Sequence, residues 1–236
     1  KIIQSNSKGN SYALVGESDI LILEAGKPFR LVQKAIDYSL DRVVGCLLSH
    51  EHNDHSEFAE EYMARGIEIY TSPGTVAALN STTPILNEIE AGAKFELGGF
   101  HITPFDTKHD AKEPFGFYIY HKEMGFLVFA TDTYSIKYKF KKLDHLLLEV
   151  NYDKDLVEKA LIEGKISVAH RDRILLSHMS LDNACKYIES LEPKLKTVVA
   201  LHSSARHGEE KIFIDKLSKS TDAKIIMAKN NMGVEL

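Results

Sequence analysis

The sequence predicts an α/β fold in which two mixed sheets pack together with helices outside. Short apolar runs, several rich in β-branched residues, alternate with amphipathic stretches along the whole chain. Strand hairpins are followed by a helix and a strand, and the same order then recurs. A chain of 236 residues is of ordinary size for one α/β domain. We therefore expect residues 1–236 to form a single domain.

The spacing of apolar residues predicts the elements of the first half. Residues 11–15 and 19–23 predict two strands joined by a Gly-containing turn. Residues 28–40 have helical spacing, and 43–48 is a continuous apolar run typical of a buried strand. The other elements predicted here are a helix at 56–65 and strands at 67–70, 95–97, 101–105, 117–120 and 126–130.

The second half repeats the alternation. Ser180 precedes an amphipathic stretch and is a residue type that caps helix N-termini. The predicted elements are strands at 146–150, 197–201 and 224–227 and helices at 153–162, 181–191 and 209–217.

Composition narrows the function classes. Apolar residues make up 44% and charged residues 27% of the chain, which argues against disorder. The formal charge of −5 excludes a broadly basic nucleic-acid binder, so any such contact must be local. There is no apolar run of membrane-spanning length, and the two widely spaced cysteines suit a reducing compartment. We expect a cytoplasmic protein without membrane contact, although a leader could have been lost.

The most informative segment is residues 49–55, which reads Ser-His-Glu-His-Asn-Asp-His. It follows a predicted buried strand and precedes a predicted helix, where α/β proteins tend to place their sites. Imidazole and carboxylate groups are the ligands that borderline-soft divalent cations prefer. His50 and His52 can converge on one ion, while Asp54 and His55 point elsewhere and suggest a second ion. The alternatives are a polar surface loop or one structural metal, and structural sites are usually rich in cysteine.

At this segment the sequence resembles the metallo-β-lactamase superfamily, whose signature is His-x-His-x-Asp-His. The resemblance implies the four-layer αββα sandwich of that family. It also implies further ligands after later strands, matched here by His109 in residues 107–117, by Asp132 in 129–133 and by His202 in 198–204. The implied ligands are His50, His52 and His109 for one metal and Asp54, His55 and His202 for the other, with Asp132 bridging both.

Other motifs resemble the phosphodiesterase branch of that superfamily, which includes tRNase Z-like enzymes. Glu149 follows a strand and His178 stands where the branch has a histidine that opens a helix. Residues 5–11 match a Ser-x-Ser-Lys-Gly-Asn-like turn, and 109–117 match a His-Asp-Ala…Glu-Pro-x-Gly-Phe element. Both motifs are similar to those of small bacterial and phage exonucleases.

The chain departs from the family pattern in two places. Glu24 stands where the family usually has an aspartate. Its extra methylene could change how residues 49–55, which we refer to as the metal loop, are supported. The stretch between Asp132 and His178 is too short for the inserted domain with which larger nucleases of this fold grip RNA.

The resemblance implies a two-metal hydrolase carrying zinc or manganese, in which a metal-bridging hydroxide attacks phosphorus. Asp54, Glu149 and His178 are the predicted catalytic residues. His178 would protonate the leaving oxygen, and Glu149 would orient the imidazole of His178. Alternatives remain open, because Glu149 could pair with a lysine and His178 could have no chemical role. His178 also rivals His202 as the seventh ligand, and His207 could line the site.

Basic residues near these motifs are candidate substrate contacts. Lys137 and Lys139 lie in a basic segment with interleaved aromatic residues, which could hold a phosphate backbone and stack a base. Arg171 and Arg173 precede His178 and could bind phosphate. A solvated charged face is the alternative for all four.

The preferred function is therefore a nuclease acting on DNA or RNA. The alternative is a phosphodiesterase of small cyclic nucleotides, of the kind that some phage proteins use against bacterial immune signals. A lactone or thioester hydrolase of the same fold is a third reading, against which Glu149 and His178 argue. The expected partner is a nucleic acid or a small phosphodiester, and the chain could form a homodimer.

Overall fold

The computed structural model of the protein describes residues 1–192, 194–204 and 209–236. The strands form two mixed sheets, which confirms the predicted α/β class. The chain divides into two compact units that interleave along the sequence. Unit 1 consists of residues 1–106, 111–124 and 229–235, and unit 2 consists of 107–110 and 125–228, with Leu236. That residues 1–236 form a single domain stays a prediction.

Unit 1 contains a six-stranded sheet whose strands follow the order of the chain. The first three strands are antiparallel, and the last four pair in parallel. Three further antiparallel strands follow. The strands are β1 (Ile2–Asn6), β2 (Gly9–Val15), β3 (Ile20–Leu23), β4 (Val43–Leu47), β5 (Ile69–Thr71), β6 (Leu86–Glu88), β7 (Phe95–Leu97), β8 (Phe100–Asp106) and β9 (Phe115–His121).

The helices of unit 1 are short. Within the apolar patterns 28–40 and 56–65 they are shorter than predicted, and the helix at Pro73–Leu79 was not predicted. The helices are α1 (Phe29–Ala35), α2 (Asn53–Ser56), α3 (Ala59–Met63) and α4 (Pro73–Leu79), with a 3₁₀ turn at Leu40–Arg42. Helix α1 stops before residue 40 because Asp37 and Tyr38 adopt left-handed backbone, with φ of 52° and 61°. The helix predicted at 56–65 is replaced by α2 and α3, two short helices.

The parallel strands of unit 1 bring their carboxyl ends to one edge of the sheet. Beyond β3 lies Glu24, and two residues beyond β4 the histidine-rich segment begins at Ser49. The core beneath this edge is apolar and includes fully buried Ile22, Phe29 and Cys46. The carboxyl edge therefore positions polar groups over a rigid apolar base.

Residues 229–235 complete unit 1 although they follow residues 107–110 and 125–228 of unit 2 in the chain. Ile2 and Met232 exchange two backbone hydrogen bonds, of 2.7 and 3.0 Å. The amide of Asn231 also donates to the carbonyl of Ile3, at 3.2 Å. Strand β1 thus has a partner from the far end of the described chain.

Unit 2 contains four parallel strands in the order β13-β12-β11-β10. They are β10 (Gly125–Ala130), β11 (His145–Glu149), β12 (Thr197–Leu201) and β13 (Lys224–Met227). Asp132 follows β10, Glu149 ends β11 and His202 follows β12. Since the register pairs Glu149 with Leu201, these side chains gather at one edge.

The helices of unit 2 are α5 (Lys154–Ile162), α6 (Val168–Ser177), α7 (Leu181–Glu189) and α8 (Glu210–Ser220). The side chains of Asp153, Ser167 and Ser180 accept backbone N–H groups at the starts of α5, α6 and α7, so the N-cap prediction for Ser180 is confirmed. Helix α6 was not predicted. The expectation that His178 opens a helix is wrong, because this residue is the C-cap of α6.

Among the residues that the structure describes, no helix combines the length and the apolar character needed to span a bilayer.

Candidate active site

Unit 1 supplies a compact cluster of imidazoles from the loop between β4 and α2 and from α2 itself. The ring centroid of His50 lies 4.7 Å from that of His52 and 4.2 Å from that of His55. His50 and His55 are buried, and Asp54 Oδ2 lies 3.4 Å from His55 Nε2. Imidazoles packed this closely, beside a carboxylate, are the donor set of a divalent cation site.

Glu24 supports this loop from below. Its Oε1 accepts the amide of Ser49 at 3.3 Å, and its Oε2 lies 3.3 Å from His55 Nδ1. Glu24 is fully buried with φ of 66°. Burial raises the pKa of this carboxyl, and the contacts with His55 and Ser49 partly offset that effect. The longer side chain at this departure from the family pattern therefore still reaches the metal loop.

Asn10 explains why the turn at residues 5–11 belongs to the site. Its Nδ2 lies 3.1 Å from His55 Nε2 and 3.3 Å from Asp54 Oδ2. The amide of Gly26 donates to the carbonyl oxygen of Asn10 at 3.0 Å, and a Cβ at Gly26 would come within 1.9 Å of the Asp54 carbonyl oxygen. A side chain at Gly26 would displace the loop.

Unit 2 places Asp132 between two histidines. Its Oδ2 lies 3.7 Å from His109 Nε2, and its Oδ1 lies 3.3 Å from His202 Nδ1. His109 Nδ1 is 2.9 Å from the carbonyl oxygen of Ser177, so Nδ1 carries the proton and donates. Burial lowers the pKa of His109, although Asp132 and Ser177 oppose the shift. The neutral ring leaves Nε2 able to ligate a cation.

Glu149 is the hub of the hydrogen bonds in unit 2. Its Oε1 accepts from His178 Nδ1 at 2.6 Å and lies 3.3 Å from His202 Nδ1. Its Oε2 accepts the amides of Thr133 at 2.8 Å and Met179 at 3.1 Å. The two histidines and two amides account for both oxygens of this buried carboxylate, so the alternative that it pairs with a lysine is not what the structure shows.

The pair formed by Glu149 and His178 has shifted pKa values. Burial alone would lower the pKa of His178, but the adjacent Glu149 carboxylate raises it above its usual value. Burial would raise the pKa of Glu149, yet His178 and His202 lower it overall. Both shifts favour an ionised pair with a proton held on the imidazole.

Sequence reasoning missed the support for His202. Asn151 Nδ2 donates to the carbonyl oxygen of His202 at 2.8 Å and lies 3.2 Å from its Nδ1. His202 itself has φ of 51°, a conformation that needs such restraint. The partners lie 51 residues apart, so no local pattern could have revealed the contact.

The donors of unit 2 converge closely. Asp132, Glu149, His178 and His202 each have a ligand atom within 4.8 Å of the others. The ring centroid of His178 lies 5.5 Å from that of His109 and 5.6 Å from that of His202. These residues fit a divalent cation, and the rivalry between His178 and His202 for a ligand position stays open.

The comparison with protein families decides the identity of the fold. Residues 16–202 match the family described as Beta-lactamase superfamily domain. The chain belongs to this superfamily. The match spans the histidine-rich loop, Asp132, Glu149 and His202. As a member of the beta-lactamase superfamily with these His and Asp clusters, the protein is a metal-dependent hydrolase, and the predicted family resemblance is confirmed.

Three similar proteins extend the comparison. An exodeoxyribonuclease YycJ of Bacillus anthracis is 23% identical over 227 residues, covering 78% of this chain and 83% of the relative. The metallo-beta-lactamase fold protein YhfI from Bacillus subtilis superposes with a TM-score of 0.73 at 14% identity, covering 97% of this chain and 95% of that protein. Human tRNase Z, short form, gives a TM-score of 0.66 at 15% identity, with 98% and 96% covered. The structural matches confirm the metallo-β-lactamase fold.

The predicted substrate contacts differ in their surroundings. Arg173 Nε lies 3.4 Å from Asp110 Oδ2, and Asp110 Oδ1 lies 3.3 Å from His109 Nε2. By contrast, Arg171 is held by Asp172 at 2.7 Å and lies near Glu158. The structure thus links Arg173, but not Arg171, to a candidate ligand.

The basic segment after Asp132 is a loop in which Lys137 and Lys139 are exposed. Lys137 Nζ lies 5.0 Å from the centroid of the Tyr138 ring. His207 lies outside the described residues.

Proposed function

We propose that the protein is a binuclear metal-dependent phosphodiesterase that acts as a nuclease on DNA or RNA. The observation that carries the proposal is the 2.6 Å contact between Glu149 and His178, at the same strand edge as Asp132 and His202. The alkoxide that leaves a phosphodiester must gain a proton, which a cationic imidazole beside the metal ligands can supply, whereas the thiolate of a thioester can leave without one.

The proposed ligands are those implied by the family. Two divalent ions, zinc or manganese, when bound would supply a nucleophile at neutral pH and neutralise charge on the phosphate. The ligands are His50, His52 and His109 for one ion and Asp54, His55 and His202 for the other, with Asp132 shared.

Three residues have further proposed roles in orienting a ligand and in proton transfer. Asp54, besides being a ligand, is held by Asn10 at 3.3 Å and so keeps one carboxylate orientation. His178 Nδ1–H donates a hydrogen bond to Glu149 and keeps its proton. The other ring nitrogen, Nε2, is therefore the atom that gives a proton to the leaving oxygen. Glu149 fixes the imidazole and keeps it cationic. Because the His178 side chain is 18% exposed, substrate can approach it.

The preference for a nucleic acid rests on the similarity to an exodeoxyribonuclease and to a tRNase Z. Arg173, Lys137 and Lys139 are the proposed contacts to phosphate. The net charge of −5 requires that these contacts be local. Cytoplasmic location and a homodimer stay predictions.

A parallel substrate assay tests the proposal. The protein, loaded with zinc or manganese, would be offered end-labelled DNA and RNA, 3′,5′-cyclic nucleotides, and a lactone and a thioester. We expect stepwise shortening of a polynucleotide that is lost in His52→Ala. Opening of cyclic nucleotides with polynucleotides intact would replace the nuclease by a small-molecule phosphodiesterase. Hydrolysis of the lactone or thioester alone would refute both.

The two arginines of α6 provide a matched comparison for substrate binding. We expect Arg173→Ala to raise KM for a polynucleotide about 5- to 30-fold, since a charge-assisted hydrogen bond contributes about 1–2 kcal/mol. Arg171→Ala should change KM less than about twofold, because Arg171 pairs with Asp172 and Glu158, whereas Arg173 pairs with Asp110, which contacts the proposed ligand His109. Steady-state kinetics at two salt concentrations measure both. Equal effects of the two substitutions would contradict the assignment.

A further inference from the structure

The His-Asp-Ala…Glu-Pro-x-Gly-Phe element contains residues that neither metal binding nor proton transfer uses. In unit 1, its residues 111–115 make four hydrogen bonds within four positions. Two go to the histidine-rich loop and two go to the start of α4. We refer to residues 111–115 as the clasp.

The clasp brackets His50 along the chain. On one side, the amide of Phe115 donates to the carbonyl oxygen of Ser49, at 3.0 Å. On the other side, the amide of Lys112 donates to Glu51 Oε1, at 2.9 Å. The residues directly before and after His50 are therefore both tied to the clasp. A shift of either residue would break one of these hydrogen bonds; the bond from Phe115 is made by a buried residue, whereas the bond between Lys112 and Glu51 is exposed to solvent.

The other side of the clasp is fixed to α4. Glu113 Oε2 accepts the amide of Gly74 at 2.7 Å, and the Ser72 hydroxyl donates to the carbonyl oxygen of Glu113 at 2.6 Å. Ser72 is also the N-cap of α4, accepting the amide of Thr75. The clasp thus connects the metal loop to the capped N-terminus of α4.

Close packing holds the end of the clasp in one conformation. A Cβ on Gly116 would lie 2.4 Å from the ring of Phe105, so only glycine lets the chain pass there. Phe115 is buried and opens β9. The clasp is therefore fixed at β9 as well as at α4.

We infer that Glu51 and Glu113 are positioning residues: Glu51 ties the clasp to the loop beside His50, Glu113 ties it to the start of α4, and together they preorganise the metal loop. The inference rests on the proposed metal site. Glu51 is placed between two proposed ligands in the sequence but acts through the amide of Lys112, not through the metal. Along the chain, the clasp also follows His109 by only two residues, so the same anchor restrains the segment that supplies a third proposed ligand.

The test separates the hydrogen bond from the charge and from general stability. Glutamine keeps a carbonyl oxygen that can accept the Lys112 amide, whereas alanine does not. We expect Glu51→Ala to lower zinc affinity about 3- to 10-fold, because one solvent-exposed hydrogen bond beside His50 is lost. Glu51→Gln should stay within about twofold of the unsubstituted protein. Exposed Glu57, six residues further on, provides the control Glu57→Ala.

Zinc affinity would be measured by competition with a chromophoric chelator, and ligand geometry by the absorption spectrum of the cobalt-loaded protein. Glu113→Ala removes the α4 side of the clasp and should act in the same direction, which keeps the test informative if Glu51→Ala does not fold. Unchanged affinity and spectrum in both alanine variants, or an equal loss in Glu57→Ala, would overturn the inference. These readouts do not require hydrolysis, so absence of nuclease activity would refute the proposed function alone.

Discussion

Asp132→Asn is expected to abolish hydrolysis almost completely. The side chain lies within 3.7 Å of His109 and 3.3 Å of His202, and it is the proposed shared ligand. An amide keeps the volume but has a single weaker acceptor, so both ions lose a charged ligand. We expect kcat/KM to fall at least about 10⁴-fold, more than loss of one proton donor typically costs. Bound metal per chain should also fall, as measured by elemental analysis.

Asp172→Asn is the control for this substitution, because Asp172 is an exposed carboxylate of the same unit that pairs with Arg171. It should retain full activity and metal content. If the Asp132→Asn protein kept two bound ions and also more than about a tenth of the activity, Asp132 could not be the shared ligand.

His178→Ala is the second substitution with a large expected effect. We expect kcat to fall about 10²- to 10⁴-fold while bound metal is unchanged, because a positioned general acid contributes this much. Glu149 raises the pKa of His178, so the proton persists to higher pH than on a free imidazole. Activity should therefore hold near neutral pH and decline as pH rises through that pKa. The variant should lose this alkaline decline.

The substitution Glu149→Gln tests whether Glu149 raises the pKa of His178. Without the carboxylate, the pKa of His178 should fall and the alkaline decline should move to lower pH. His170→Ala, on exposed α6, should leave the profile unchanged. Loss of metal in His178→Ala would instead make His178 a ligand, and an unmoved profile in Glu149→Gln would contradict the proton-donor role.

Local patterns predicted the strands well because strand boundaries follow apolar runs. The strands at residues 95–97, 197–201 and 224–227 have the predicted bounds. The metal loop could also be located, since its ligands are close together in sequence. Whether its residues bind metal as assigned stays a prediction.

Helix boundaries and supporting contacts were harder to predict. The apolar pattern of 28–40 continues past Ala35, but the left-handed backbone at Asp37 ends the helix, and hydrophobic periodicity does not register backbone handedness. Helix α6 has exposed apolar residues such as Leu176, which blur its amphipathic pattern. The contacts of Asn10 with His55 and of Glu51 with Lys112 join residues 45 and 61 positions apart. Such pairs follow from tertiary structure alone.

The interleaving of the two units has a consequence for biosynthesis. Residues 125–228 of unit 2 form a nearly continuous stretch, so they can fold as they leave the ribosome. Residues 1–106 and 111–124 of unit 1 are translated earlier still, but the partner of Ile2 is Met232, which is translated after all of those residues, so the pairing of β1 with residues 229–235 comes last. Pairing of such distant segments carries a large loop-closure entropy and is slow. During that interval the nascent chain exposes the edge of β1, and this is where chaperone protection would matter most.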